Sequence, residues 1–220
     1  MEQTDIWSIN PSTSATFFKT AATVTGGAFP RALTLTNTDP VVAKEGAGYQ
    51  VIITSNADDS GITFTINGAI VGQLNSQGQV PMPALPEVIT GPDTTTATST
   101  YYYSRIDSIV ISGAATGTVA VGTTGDLALP RCRIKGFYVV GGAGAGSLKV
   151  NRFTWETTEG APSTVAPTNV ESLLDITTPA GATLTQFLSL PGQGILTGQQ
   201  QNDYAVVDDT AITDYTLFCG

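Results

Sequence analysis

The chain has 220 residues, with nine Lys plus Arg against 18 Asp plus Glu, no His, and a formal net charge of −9. That charge would repel phosphate backbones and anionic lipid surfaces, so neither nucleic acid nor a membrane is expected as a partner. No stretch approaches the roughly 18 consecutive apolar residues of a membrane-spanning helix. The lack of His removes Ser-His-Asp and Cys-His nucleophile systems and the usual zinc and non-haem iron centres, and no cofactor is expected.

Charged residues make up only 12% of the chain, and 35 Thr carry much of the polarity. Such a composition suits hydroxyl-covered β-strands. A chain of this length can bury roughly 70% of its unfolded surface, which is enough for one large β domain or two small ones. The opening "MEQTDIWSINPSTS" has no apolar run of the secretory-signal kind. Cys132 and Cys219 are 87 residues apart with no CxxC pattern, so both are expected to be thiols in a protein made in a cytosol.

From Tyr49 onward the period is 2. Tyr49, Val51 and Ile53 alternate with Gln50, Ile52 and Thr54, and Ile62, Phe64 and Ile66 alternate with Thr63 and Thr65. This predicts half-buried antiparallel strands. Between them "NADDSG", 56 to 61, is rich in Asp, Ser and Gly, which make turns. It lacks the Glu that would complete a calcium loop, and the prediction is a connection between strands, not a metal site. Asn67-Gly68 predicts a two-residue hairpin turn. The stretch "NSQGQVPMPALPE" carries Pro81, Pro83 and Pro86 and cannot lie in a central strand, so it is expected to be an exposed arm or loop that lays its extended backbone on a neighbour.

In "STYYYSRID" alternation would place Tyr101, Tyr103 and Arg105 on one side, a composition suited to an interface. The apolar pattern slips by one residue between Ile106 and Ile109, which predicts a β-bulge. Residues 111 to 121 and 140 to 150 have similar sequences and predict one hairpin style used twice, with "GTTGDLALP", 122 to 130, as a linker between two blocks and "EGAPSTVAPT", 159 to 168, as a second loop. Helical spacing around "NVESLLDI" is weak and is opposed by Pro167 and Pro179. Five of the nine basic residues fall between 131 and 152, and Arg131, Arg133 and Lys135 would share one strand face, a local positive row suited to an acidic partner.

Paired carboxylates are the remaining route to catalysis. Asp58-Asp59 and Asp208-Asp209 are adjacent in sequence, however, and neighbours on a strand point to opposite faces. No enzyme is expected. The fold class predicted is all-β, an antiparallel β-sandwich or jelly-roll-like arrangement. It comprises an N-terminal domain over 1–128, with an N-terminal arm and a Pro-rich loop at 75–87, and a C-terminal β domain over 129–220.

The runs "VIITSNADDSGITFTINGAIVG" and "EVITGPDTTTATSTYYYSRIDSIVISGAATGTVAVGT", with the ending "LSLPGQGILTG" and "AITDYTLFCG", resemble small virion structural proteins of tailed bacteriophages. The chain departs from that pattern at "GQLNSQGQVPMPALPE". The resemblance implies a capsid decoration (cement) protein, assembled in the bacterial host cytoplasm and carried in the virion. Its implied partners are the major capsid protein and further copies of itself, most simply in a trimer. Neck, tail and fibre components, and a carbohydrate- or receptor-binding β module built on Trp7 or Trp155, are the alternatives.

Overall fold

A computed structural model describes residues 5–9, 14–38, 47–74, 81–83, 86–154, 168–179, 185–190, 194–198 and 203–219. Among these residues there is no helix. The strands are β1 (Asp5–Ile9), β2 (Ser14–Thr23), β3 (Arg31–Ala32), β4 (Gly48–Ser55), β5 (Thr63–Leu74), β6 (Pro81–Pro83), β7 (Glu87–Thr90) and β8 (Thr96–Ile111). They continue with β9 (Thr118–Leu129), β10 (Arg133–Gly141), β11 (Gly146–Thr154), β12 (Thr168–Thr178), β13 (Thr185–Ser189), β14 (Ile195–Leu196), β15 (Asp203–Thr210) and β16 (Ile212–Cys219). The segment "NVESLLDI" is therefore strand, as its flanking prolines suggest. The loop expected at 159 to 168 lies outside the described residues except for Thr168, which opens β12.

Every paired strand runs antiparallel, in two sheets that pack as a sandwich. The larger follows the order β12-β11-β15-β9-β4-β8-β5-β6, with β2 on β9, β3 on β8 and β7 on β5. The smaller follows β1-β16-β10-β13, with β14 on β10. Alternation decides which face is buried. Phe64 and Ile66 are fully buried while Thr63 and Thr65 are half-exposed, and Ile109, Ile111, Val119 and Val121 are all fully buried. Each such side chain contributes about 1.5–3 kcal/mol when taken from water.

These apolar faces make two cores. One gathers Val51, Ile53, Phe64, Ile66, Ile106, Ile109 and Val121, and the other Leu127, Leu129, Ile134, Phe137, Val150 and Leu217. A cut between 128 and 129 falls inside β9, which places Val121 in the first core and Leu127 in the second. The stretch 122 to 130 is thus a shared strand up to Leu129, not a linker: Ala128 faces the first core and Leu127 and Leu129 the second.

β8 explains how one sheet encloses a core. Sixteen residues of straight strand would span about 50 Å. Yet Thr94, just before β8, donates its N–H to the Ala57 carbonyl, while Thr116 and Thr118, just after it, donate theirs to Asp59 Oδ1 and Asn56 Oδ1. Both ends of the strand reach the same loop, so β8 bends back on itself, pairing with β4 through its first half and β5 through its second. Register shifts make the bend, including one opposite Asn67/Gly68 that leaves Asp107 unpaired and accounts for the slip between Ile106 and Ile109.

Several predicted hairpins are corrected by this topology. Asn67-Gly68 lies within β5 as part of that bulge, and a Cβ on Gly68 would sit 2.2 Å from the Arg105 carbonyl oxygen, so glycine there permits a close backbone approach. β8 and β9 are not neighbours, nor are β10 and β11; the small-residue loops at 112–117 and 142–145 carry the chain away from its neighbour to a different sheet position. β4 and β5 are likewise separated by β8.

Candidate functional site

The acidic loop after β4 is built as an anchor. Asp59 is buried, and its carboxylate accepts the Ser55 hydroxyl (Oδ2, 2.6 Å) and the Thr116 N–H (Oδ1, 2.6 Å). Its backbone N–H reaches the Pro92 carbonyl at 2.9 Å. One side chain therefore joins the end of β4 to the loop after β8. Asp58 forms a turn with its own backbone, accepting the Ser60 N–H (2.9 Å) and hydroxyl (2.6 Å), and these bonds hold its carboxyl below the usual range. The two carboxyls are spent on different tasks, and neither is arranged with the other around a reacting bond.

The basic row is three residues in three settings. Arg131 is exposed and precedes β10, Arg133 is half-buried opposite Leu196, and Lys135 is the residue left over in a β-bulge between the Ile134–Cys219 and Gly136–Phe218 pairs. Ile134 faces the core between them, so Arg133 and Lys135 keep the outward face that alternation assigns. Cys132 is present as a thiol, and its backbone and sulphur are engaged by the buried Thr197 hydroxyl, with its N–H 2.7 Å from Thr197 Oγ1. The Cys219 side chain lies outside the described residues.

The tyrosine face divides. A bulge at Ser104 breaks the alternation, so Tyr103 is fully buried while Arg105 is exposed and ion-paired with Asp107 at 2.8 Å. Tyr103 is a core residue and not a contact surface; its hydroxyl donates to Glu87 Oε2 at 2.9 Å, and burial together with that carboxylate pushes its pKa well up. Tyr101 stays half-buried beside it. In the Pro-rich stretch, Pro81 and Pro83 belong to β6, paired with Leu74 and Ala69 at the margin of the large sheet. This corrects the free arm to an edge strand, the place where a missing N–H costs least. Pro86 is exposed, and residues 75–80 and 84–85 lie outside the described set. The side chains of Trp7 and Trp155 do too.

Two features escaped the sequence reading. Val207 pairs with Leu127, so the antiparallel register sets Asp208 opposite Asp126, with Asp209 next along β15. Burial pushes the Asp209 carboxyl up to about 6, with Asp126 and Asp208 adding like charge, and Asp126 is raised for the same two reasons. Among the described residues no group of three or more Cys, Asp or Glu is arranged to hold a metal.

The second feature is a cavity of about 400 Å³ between β2 and residues 31–36. Gly26 and Gly27, at φ 79° and 86°, turn the chain after β2, and the returning segment is tied down by Thr36 N–H to Phe18 O and Leu33 N–H to Ile109 O. Lys19 and Arg31 both line the cavity, and among the described residues no carboxylate does. Lys19 was hidden in "TFFKTAAT" because nothing in that pattern tells a buried cation from a solvated one. No protein-family model, curated protein or solved structure matches this chain.

Proposed function

We propose that the chain is a non-enzymatic structural virion protein of a tailed bacteriophage, a capsid decoration protein that binds the assembled head and acts as a homo-oligomer. One observation carries the reading: the two longer segments that resemble phage virion proteins are the framework of the first core. They supply β4, β5, β7, β8 and β9, and the Asp-Asp-Ser-Gly turn holds the buried carboxylate that joins the end of β4 to the loop after β8. Residues used in this way build a surface.

The surface has features that suit a shell component. β12 and β6 end the path of the larger sheet and β1 and β13 that of the smaller, and sheet margins offer backbone donors and acceptors for pairing with another chain. Arg131, Arg133 and Lys135 lie within five residues of one another on a chain of net −9 and would suit an acidic partner surface. Cryo-electron microscopy of the source particle tests the reading, and density for this fold on the head is the expected result. Reversing the charge of Arg131, Arg133 and Lys135 together should weaken attachment in a salt-dependent way. A monodisperse monomer by light scattering, with head binding unchanged in that variant, would move the function to a monomeric binding module.

A further inference from the structure

We propose that the cavity between β2 and residues 31–36 binds a small hydroxylated molecule through its oxyanion, a carboxylate or phosphoryl group held between Lys19 and Arg31. Lys19 is 8% exposed, and its ammonium donates to the carbonyls of Thr20 (3.0 Å) and Val119 (3.2 Å). Two of its three donors are thus used on neutral acceptors, and among the described residues no carboxylate lines the cavity to balance this buried charge. Burial accordingly lowers the Lys19 pKa.

Arg31 stands across the same cavity, with its guanidinium carbon 5.0 Å from the centre of the Phe29 ring. A cation held over an aromatic face keeps its N–H groups for an acceptor. Among the described residues these two cations share the cavity with no carboxylate, in a chain with twice as many acids as bases, and the ligand that suits such a lining is an anion.

The rest of the lining indicates what the anion is attached to. Thr20, Thr23, Thr34 and Thr36, all exposed, line the same cavity, and each hydroxyl can donate or accept. A cavity of about 400 Å³ is far larger than a bare ion requires and falls in the usual range of small-ligand sites, about 300–1,000 Å³. Hydroxyl groups on the ligand would meet the threonines while its oxyanion meets Lys19 and Arg31. Acidic sugars and sugar phosphates share this chemistry. The inference stands apart from the virion reading, since it requires only the cavity.

Calorimetric titration of the full chain at low ionic strength with sodium glucuronate, glucose 6-phosphate, inorganic phosphate and uncharged glucose tests it. Saturable binding is expected for at least one charged sugar and none for glucose; the stronger of glucuronate and glucose 6-phosphate identifies the preferred oxyanion. Lys19→Met and Arg31→Gln should each weaken that binding by about tenfold or more, as expected for losing one hydrogen bond to a charged group. Lys149→Gln, outside the cavity and paired with Asp175, should leave it unchanged. Because Lys19→Met removes a buried group, Arg31→Gln decides the matter if the first variant fails to fold. No saturation by any charged probe up to about 10 mM, or affinity unchanged by Arg31→Gln, overturns the proposal.

Discussion

Two sets of aspartates lie in different parts of this molecule, and the same side chain does opposite things in them. In the loop after β4, the Asp59 carboxylate is buried but is met by the Ser55 hydroxyl and the Thr116 N–H, both at 2.6 Å. At the junction of β9 and β15, Asp126 lies opposite Asp208 with Asp209 next along the strand, and burial with like charge raises Asp209 to about 6. Donors make the first carboxylate a fastener, whereas acid neighbours make the second a strain on the fold. Adjacency in sequence, as in Asp58-Asp59 or Asp208-Asp209, therefore says little about the role of either residue.

The largest effect should come from removing the fastener. Asp59→Ala leaves a buried hydroxyl and a backbone N–H without their acceptor, and hydrogen bonds to charged groups are worth about 1.5–3 kcal/mol each. A loss of about 3 kcal/mol is expected, or roughly 6–12 °C in thermal midpoint for a chain of this size. Asp59→Asn should lose less, because its amide oxygen can still accept one of the two bonds. Differential scanning calorimetry of both variants checks this. A midpoint unmoved in Asp59→Ala would place the fastening of β8 elsewhere.

The second set should respond in the opposite direction. Asp209 has a folded-state pKa of about 6, above its ordinary value near 3.8. Between those values the folded chain holds more protons than the unfolded one, so this group's contribution falls as pH rises through the window. The resulting penalty is complete above about pH 6 and absent below the ordinary value. Asp209→Asn should therefore raise the midpoint at pH 7.5, by about 2–4 °C once solvent screening of a half-exposed carboxyl reduces the effect to about 1 kcal/mol. By pH 3.5 the advantage should vanish. A gain that persists there would mean that the amide makes a new contact, and the like-charge account would fail.

What could be read from the sequence was local. Period 2 in Ile62–Ile66 and the slip between Ile106 and Ile109 report how a strand meets the core directly beneath it, and both were legible. The strand lying beside a given strand was not. Asn67-Gly68 has the chemistry of a tight turn, but here it is the missing Cβ that serves, letting Gly68 pass the Arg105 backbone. The Gly/Ala loops after Ile111 and Gly141 reverse the chain between sheet positions, and small residues suit that as well as they suit a hairpin. Tyr101, Tyr103 and Arg105 share a face only if alternation holds, and the bulge at Ser104 breaks it. The Lys19 and Arg31 cavity was beyond reach for a related reason: it depends on residues 31–36 folding back along β2, a contact set by the turn at Gly26-Gly27 and by bonds to Phe18 and Ile109.

The smallest effect expected is at Asp58, which separates a turn from a metal site. Its Oδ1 accepts both the N–H and the hydroxyl of Ser60, so the carboxyl is stabilised in its charged form and its pKa is depressed. A depressed pKa contributes stability above the ordinary value and loses it only as pH falls through the lower, folded value, so the residue should matter in the acid limb and little near neutrality. Asp58→Ala at pH 7 should shift the midpoint by no more than about 2 °C, the scale of an exposed turn residue. Treatment with a chelator should shift it by less than about 1 °C. An ion bound at a hundredfold its dissociation constant would add about 2.7 kcal/mol, a shift of roughly 5–11 °C that scanning calorimetry would resolve. A chelator effect of that size, abolished in Asp58→Ala, would turn the exposed aspartate from a turn former into a ligand and erase its contrast with Asp59.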